Sequence, residues 1–166
     1  MEWLNPYGLL FMTVILIPNL IFTLRCKNGF ENHWQNKAVE TMEQIGRFGC
    51  LSLMIVNIPG TWFGFSSRGA FILYLTADSL LIVCYFLVWI LCFRRSSLFR
   101  ALALSILPSA VFLLSGLLLR SVPLILATAL FAPCHILISV QNARAALNAE
   151  PKGPAPSDEG KKEDRR

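Results

Sequence analysis

The chain has 166 residues, of which 55% are hydrophobic and 15% are charged, and its mean hydropathy is +0.56. Soluble domains carry about 25% charged residues, so this composition excludes soluble globular and disordered proteins. The formal net charge is +5, but the sequence has no basic stripe with interleaved aromatic residues, which excludes nucleic acid as a partner. The five cysteines include no C-x-x-C pair, so we expect buried free thiols.

Five long apolar runs predict five transmembrane helices. A helix rises about 1.5 Å per residue, so about 20 residues cross a hydrocarbon core of about 30 Å. The predicted spans cover residues 7–24, 48–65, 70–93, 101–119 and 122–140. The sequence therefore predicts an all-α multi-pass membrane protein whose partner is the lipid bilayer, with one helical bundle over residues 1–142.

The distribution of basic residues predicts the orientation of this bundle, because cytoplasmic loops are enriched in Lys and Arg. With the N-terminus outside, the inner segments contain Arg25, Lys27, Lys37, Arg47, Arg94, Arg95, Arg100 and Arg144. The outer loops then contain Arg68 and Arg120. This asymmetry predicts that the N-terminus lies outside and the C-terminus lies inside.

Two further segments are predicted on the inner side. Residues 36–46 have apolar residues at helical spacing and Asn36 in position to cap the first turn, which predicts an amphipathic helix on the membrane surface. Glu43 and Arg47 are spaced to pair on a helix, either as the inner mouth of a path or as a plain interfacial ion pair. Residues 143–166 are predicted to form a cytoplasmic tail, disordered from about residue 151 because it has no apolar face.

Asp78 is the only acidic residue well inside a predicted span. An aspartate at the centre of a membrane helix costs roughly 2.5–3.5 kcal/mol. At about 100° per residue, Tyr74 and Tyr85 lie on the same helical face as Asp78. Two interpretations stay open: a wet cavity in which Asp78 binds a proton or cation, or an acid that only bonds a neighbouring helix.

Asn19, Asn57 and His135 are the other polar side chains that we single out within the spans. Their depths place Asn57 level with Asp78 and Asn19 nearer to His135, which predicts two polar layers across the bundle. His135 is either a proton relay or ligand-binding group, or a histidine that contacts a neighbouring helix. Because it has no second ligand at metal-binding spacing, we expect no metal site, and no cofactor.

Prolines occur in four of the five predicted spans, at Pro18, Pro59, Pro108 and Pro133. Proline removes a backbone donor, and transporters often bind substrate at broken helices, although membrane helices also contain prolines without this role. The fourth span also has a ridge of small residues, Ala101, Ser105, Ser109 and Gly116. Such a ridge lets another helix approach closely, either within the chain or in another subunit.

Four strings in the sequence resemble a group of small multi-spanning bacterial membrane proteins. They are Glu43–Cys50, Asn57–Pro59, Arg100–Ala103 and Phe131–His135. The resemblance implies a bacterial cytoplasmic membrane, but no activity is assigned to that group. In length and number of spans the chain is also similar to the tryptophan-rich sensory proteins that bind porphyrins, whose W-x-P-P motif it lacks.

The sequence contains none of the motifs H-E-x-x-H, G-x-S-x-G or the P-loop. We therefore assign no catalytic residues, and an enzyme is left only as a third hypothesis in which the chemistry rests on Asp78 or His135. The buried acid and the prolines predict transport or binding of a small solute or an ion through a polar cavity. The alternative is a non-transporting sensor or partner subunit, which docks another membrane protein or a second copy of the chain through its small-residue faces. The residues predicted to bind the solute or ion in this cavity are Asp78, Asn57, Asn19, His135, Tyr74 and Tyr85.

Overall fold

The computed structural model describes residues 3–25, 34–92 and 98–149. These residues form five helices and no extended sheet. The helices are α1 (Pro6–Arg25), α2 (Lys37–Ile55), α3 (Arg68–Cys92), α4 (Leu98–Leu118) and α5 (Val122–Ala149). The prediction of an all-α fold is therefore confirmed. Residues 143–149 continue α5, and the tail predicted from about residue 151 lies outside the described residues.

Four of the helices are long and apolar enough to cross a membrane, namely α1, α3, α4 and α5. Large apolar side chains lie on their outer surfaces, including Leu24, Leu80 and Ile90, which are 71%, 64% and 70% exposed. Contiguous exposed apolar surface of this kind is unfavourable in water but matches lipid. These helices indicate a multi-pass membrane protein.

The structure differs from the sequence prediction around α2. Residues 37–55 form one continuous helix, which joins the predicted surface helix to the first part of the predicted span 48–65. The helix begins after Asn36, whose side-chain oxygen accepts a hydrogen bond from the N–H of Val39. Residues 56–67 are not helical, because Pro59 has no N–H to donate and Gly60 adopts a φ of +82°.

The other prolines within the predicted spans do not interrupt their helices. Pro18, Pro108 and Pro133 each lie inside a continuous helix. Among these four prolines, Pro59 is thus the one that accompanies a break in helical structure. The segment that follows α2 is instead held by two isolated bridges, Leu4 with Val56 and Trp62 with Ser121.

The five helices form a ring in the order α1, α2, α5, α4 and α3. The most extensive contacts join α5 to α2 and α4, and α3 to α4, while α1 packs less extensively on α2 and α3. Along the α2–α5 interface Glu43 contacts His135 and Gly46 contacts Phe131, so the two helices are antiparallel. Because Gly46 has no side chain, the helix backbones approach each other closely here.

The small-residue ridge of α4 packs inside the chain. Ser105 and Ser109 are 1% and 6% exposed, and their hydroxyls donate to backbone carbonyls four residues earlier. A Cβ added to Gly116 would lie 3.0 Å from Cγ1 of Ile125 on α5. The sequence alone left open whether this ridge contacts another subunit, and the structure assigns it to the packing of α4 within the bundle.

Candidate functional site

Asp78 is fully buried on the inner face of α3. Its Oδ2 accepts a hydrogen bond from the hydroxyl of Ser115 on α4, at 2.6 Å. Its Oδ1 is also buried and has no hydrogen-bond partner among the described residues. A buried carboxylate is costly unless its charge is neutralised or paired. Oδ1 is therefore the position at which a proton or a cation would bind.

Tyr74 lies one turn before Asp78 on the same face of α3 and is also fully buried. Its hydroxyl accepts a hydrogen bond from Nδ2 of Asn5, at 3.1 Å. The backbone N–H of Asn5 donates to the carbonyl of Ile55, at 2.7 Å, and its Oδ1 accepts from the N–H of Gly8, at 3.1 Å. Asn5 thus connects α1, α2 and α3 at the end of the bundle where α1 begins. The sequence did not indicate this role, because Asn5 precedes the first predicted span.

Asn57 lies just beyond α2 rather than inside a helix. It is 6% exposed, and its backbone N–H donates to the carbonyl of Trp3, at 2.8 Å. The surface at this end has an open depression of about 430 Å³, lined by Trp3, Asn57, Pro59, Gly60 and Trp62. The structure thus places Asn57 at the end of the bundle, where its N–H hydrogen-bonds the segment that precedes α1.

Asn19 and Tyr85 join α1 to α3. The hydroxyl of Tyr85 donates to Oδ1 of Asn19, at 3.0 Å, and Nδ2 of Asn19 donates to the carbonyl of Ile15 in its own helix, at 3.4 Å. The predicted polar layer had placed Asn19 with His135. The two residues lie on different sides of the ring, since α1 packs on α2 and α3, whereas α5 packs on α2 and α4.

Glu43, Arg47 and His135 form a charged cluster between α2 and α5. Glu43 is 2% exposed, and its Oε1 accepts a hydrogen bond from Nε of Arg47, at 3.0 Å. The same oxygen lies 2.9 Å from Nδ1 of His135. The side chains of Arg47 and His135 are 42% and 22% exposed, so the cluster reaches the surface through them. Helical spacing predicted the pair of Glu43 with Arg47, but no pattern in the sequence indicated that His135 contacts the same carboxylate.

Two aromatic rings connect this cluster to the Asp78 site. The imidazole of His135 stacks on Phe131, with ring centroids 4.7 Å apart and planes at 20°. Phe131 contacts Phe112 of α4 edge-on, with centroids 5.6 Å apart, and both rings are 3% exposed. Phe112 lies about one turn before Ser115, the partner of Asp78. Ring contacts therefore join the charged cluster to Phe112, which lies one helical turn from the Asp78–Ser115 pair.

Comparison with known proteins assigns no function to this arrangement. No family model matches the chain, and neither a curated protein nor a solved structure matches it. Within residues 3–25, 34–92 and 98–149, no group of three or more His, Cys, Asp or Glu side chains is placed to hold a metal ion. The arrangement of the buried polar side chains is thus the basis on which a function can be inferred.

Proposed function

We propose that this membrane protein binds and transports a small cation, in the simplest case a proton, and that Asp78 is the binding group. The supporting observation is that Oδ1 of Asp78 is buried without a partner in the described part of the chain. Buried polar atoms are usually hydrogen-bonded, and acidic residues inside membrane helices commonly mark ion pathways and proton relays.

The burial of Asp78 also narrows the class of substrate. The residue is 0% exposed and is packed between α3 and α4. A large solute would need these helices to separate before it reached the carboxyl group, whereas a proton needs only a transient file of water. The burial of Asp78 therefore favours an ion over a larger solute, both of which the sequence left open.

Proton flux into proteoliposomes tests the proposal. A pH-sensitive dye is trapped inside the vesicles, a pH gradient is imposed, and K⁺ with valinomycin holds the membrane potential at zero. Asp78→Asn keeps the size of the side chain and an acceptor for Ser115, but it cannot exchange a proton. We expect wild-type protein to dissipate the gradient and Asp78→Asn to abolish this flux.

Ser109→Ala is a matched control, because it removes a buried hydroxyl that bonds only a carbonyl of its own helix among the described contacts. We expect this variant to retain the wild-type flux. Equal flux in wild type and Asp78→Asn, or no flux above that of empty vesicles in the wild type, would contradict proton transport through Asp78.

We also propose that α2 is the fifth crossing and that the N-terminus lies outside. The 19 residues of α2 rise about 28 Å, and the helix packs lengthwise along α5. Its charged residues all lie within the first eleven of its 19 positions, and Lys37 at its start would lie with Arg25 on the cytoplasmic side. The resemblance to bacterial membrane proteins supports the bacterial cytoplasmic membrane as the location. Tags on the two termini that are accessible from the same side would contradict this topology.

The alternative function, a sensor or partner subunit, loses its main support. It was based on a small-residue ridge that could dock another membrane protein, and Ser105, Ser109 and Gly116 of this ridge are buried within the bundle. Co-purification distinguishes the two functions, because a stoichiometric membrane partner favours the subunit and an active purified chain favours transport.

A further inference from the structure

We propose that Glu43 and His135 form a second proton-binding site, and that the contacting rings of Phe112 and Phe131 are the barrier between this site and Asp78. The proposal rests on the proposed function, since it assigns the route by which a proton bound at Asp78 leaves the bundle. It follows from the ring contacts of α4 and α5, which lead from the Glu43–His135 contact to within one helical turn of the Asp78–Ser115 pair.

The Glu43–His135 pair has the properties of a proton site. The two groups share one short contact, 2.9 Å between Oε1 and Nδ1, so a proton in the contact is held by both. An imidazole has two ring nitrogens, so one can contact a carboxylate while the other binds or releases a proton. Glu43 is almost fully buried, whereas the side chain of His135 is 22% exposed, so the pair has one member inside the bundle and one that reaches its surface.

The charges around the pair come from α2 and from the helices packed against it. Arg47 contacts Glu43 directly, through the Nε hydrogen bond of 3.0 Å, and Glu40 lies one turn earlier on α2. The helices that pack on α2 carry these charged residues within their described ranges: Arg25 on α1, Arg100 on α4 and Arg144 on α5. Arg100 lies over the rings of Phe22 and Trp89, on the α1–α3 side of the bundle.

The two aromatic rings occupy the space between the sites. Ser115 and Phe112 are three residues apart on α4, and Phe131 and His135 are four apart on α5. Since the helices rise about 1.5 Å per residue, the sites are about 10 Å apart along the bundle. Hydrophobic constrictions stop conduction by excluding water, so the rings of Phe112 and Phe131 should block a continuous water file at this level.

The proposed route of a proton then has two binding sites. It is bound at Oδ1 of Asp78, crosses the aromatic barrier by water that enters when the rings move, and is bound by the imidazole of His135. It leaves from the exposed side of that imidazole, which returns to the neutral form while Nδ1 keeps its contact with Glu43. No group is oxidised or reduced in these steps, and one proton enters the bundle for each proton that leaves it.

Removal of one ring tests the barrier. Phe112→Ala should increase proton flux several-fold in the dye assay, because the space left by the ring admits water between the two sites. Phe22→Ala is the matched control, since Phe22 is also 3% exposed but packs against Trp89 between α1 and α3. If Phe112→Ala does not fold, Phe112→Leu gives a smaller increase in the same direction. Flux that is equal in the Phe112 and Phe22 variants would overturn the barrier.

His135→Gln tests the second proton-binding site, because glutamine retains a hydrogen bond to Glu43 but does not exchange protons. We expect a slower flux, with thermal stability close to that of the wild type. If Asp78→Asn has no effect, the proposed function fails. If Asp78→Asn abolishes flux while His135→Gln leaves its rate unchanged, only the inference of a second proton-binding site is overturned.

Discussion

Gly46 marks the close approach of α2 to α5, and Gly46→Ala should therefore destabilise the protein. The new methyl carbon would lie 2.8 Å from Cα and 2.9 Å from Cβ of Phe131, whereas ordinary contacts begin at 3.4 Å. The shortfall of 0.6 Å (3.4 − 2.8) falls on the backbone of α5, which cannot turn away as the end of a side chain can. The two helices must separate, which also stretches the contact between Glu43 and His135.

The magnitude follows from two opposing effects. Overpacking of a well-packed interior costs about 1–3 kcal/mol. Alanine favours the helix over glycine by about 1 kcal/mol. We expect a net loss of about 1 kcal/mol for Gly46→Ala, which lowers the melting temperature by about 2–4 °C in a protein of this size.

Thermal unfolding in detergent, followed by tryptophan fluorescence, measures this loss. Gly49→Ala is the matched control on the same helix, because its new methyl carbon would lie 3.3 Å from Cβ of Ala127, only 0.1 Å (3.4 − 3.3) short of the 3.4 Å at which ordinary contacts begin. We expect this control to be at least as stable as the wild type. A melting temperature of Gly46→Ala equal to or above that of Gly49→Ala would refute the close packing of α2 on α5.

Three further predictions test individual contacts. Ser115→Ala should lower the free energy of unfolding by about 1 kcal/mol, because it leaves Asp78 without its hydrogen-bond donor. If the same substitution costs nothing in an Asp78→Ala background, the loss is due to the hydrogen bond between the two residues; an equal loss there would contradict this assignment. Tyr85→Phe should cost about 0.6 kcal/mol, the average for a hydrogen bond between membrane helices, and unchanged stability would contradict the contact of α1 with α3. Asn142→Ala should speed hydrogen exchange at the backbone N–H of Trp34, which donates to the Asn142 side chain at 2.9 Å; unchanged exchange would show that this bond does not anchor the start of α2.

The sequence predicted which residues share one face of a helix, because this depends only on their spacing within that helix. Tyr74, Asp78 and Tyr85 all lie on the buried face of α3, because residues three, four or seven apart project from the same side. Hydropathy was less informative around α2. Residues 56–65 are apolar enough to extend a predicted span, but an apolar run does not by itself distinguish a helix from extended backbone, and Pro59 with Gly60 ends the helical geometry there.

By itself the sequence determined that the chain is helical and apolar enough for lipid, because a segment surrounded by hydrocarbon must satisfy its backbone hydrogen bonds internally. Only the tertiary structure decided which polar side chains meet, since no periodicity within a helix specifies its neighbours in the bundle. The deciding contacts join residues 37, 66 and 92 positions apart in the chain, namely Asp78 with Ser115, Asn19 with Tyr85, and Glu43 with His135. Each lies across an interface between two helices, where packing selects the partner.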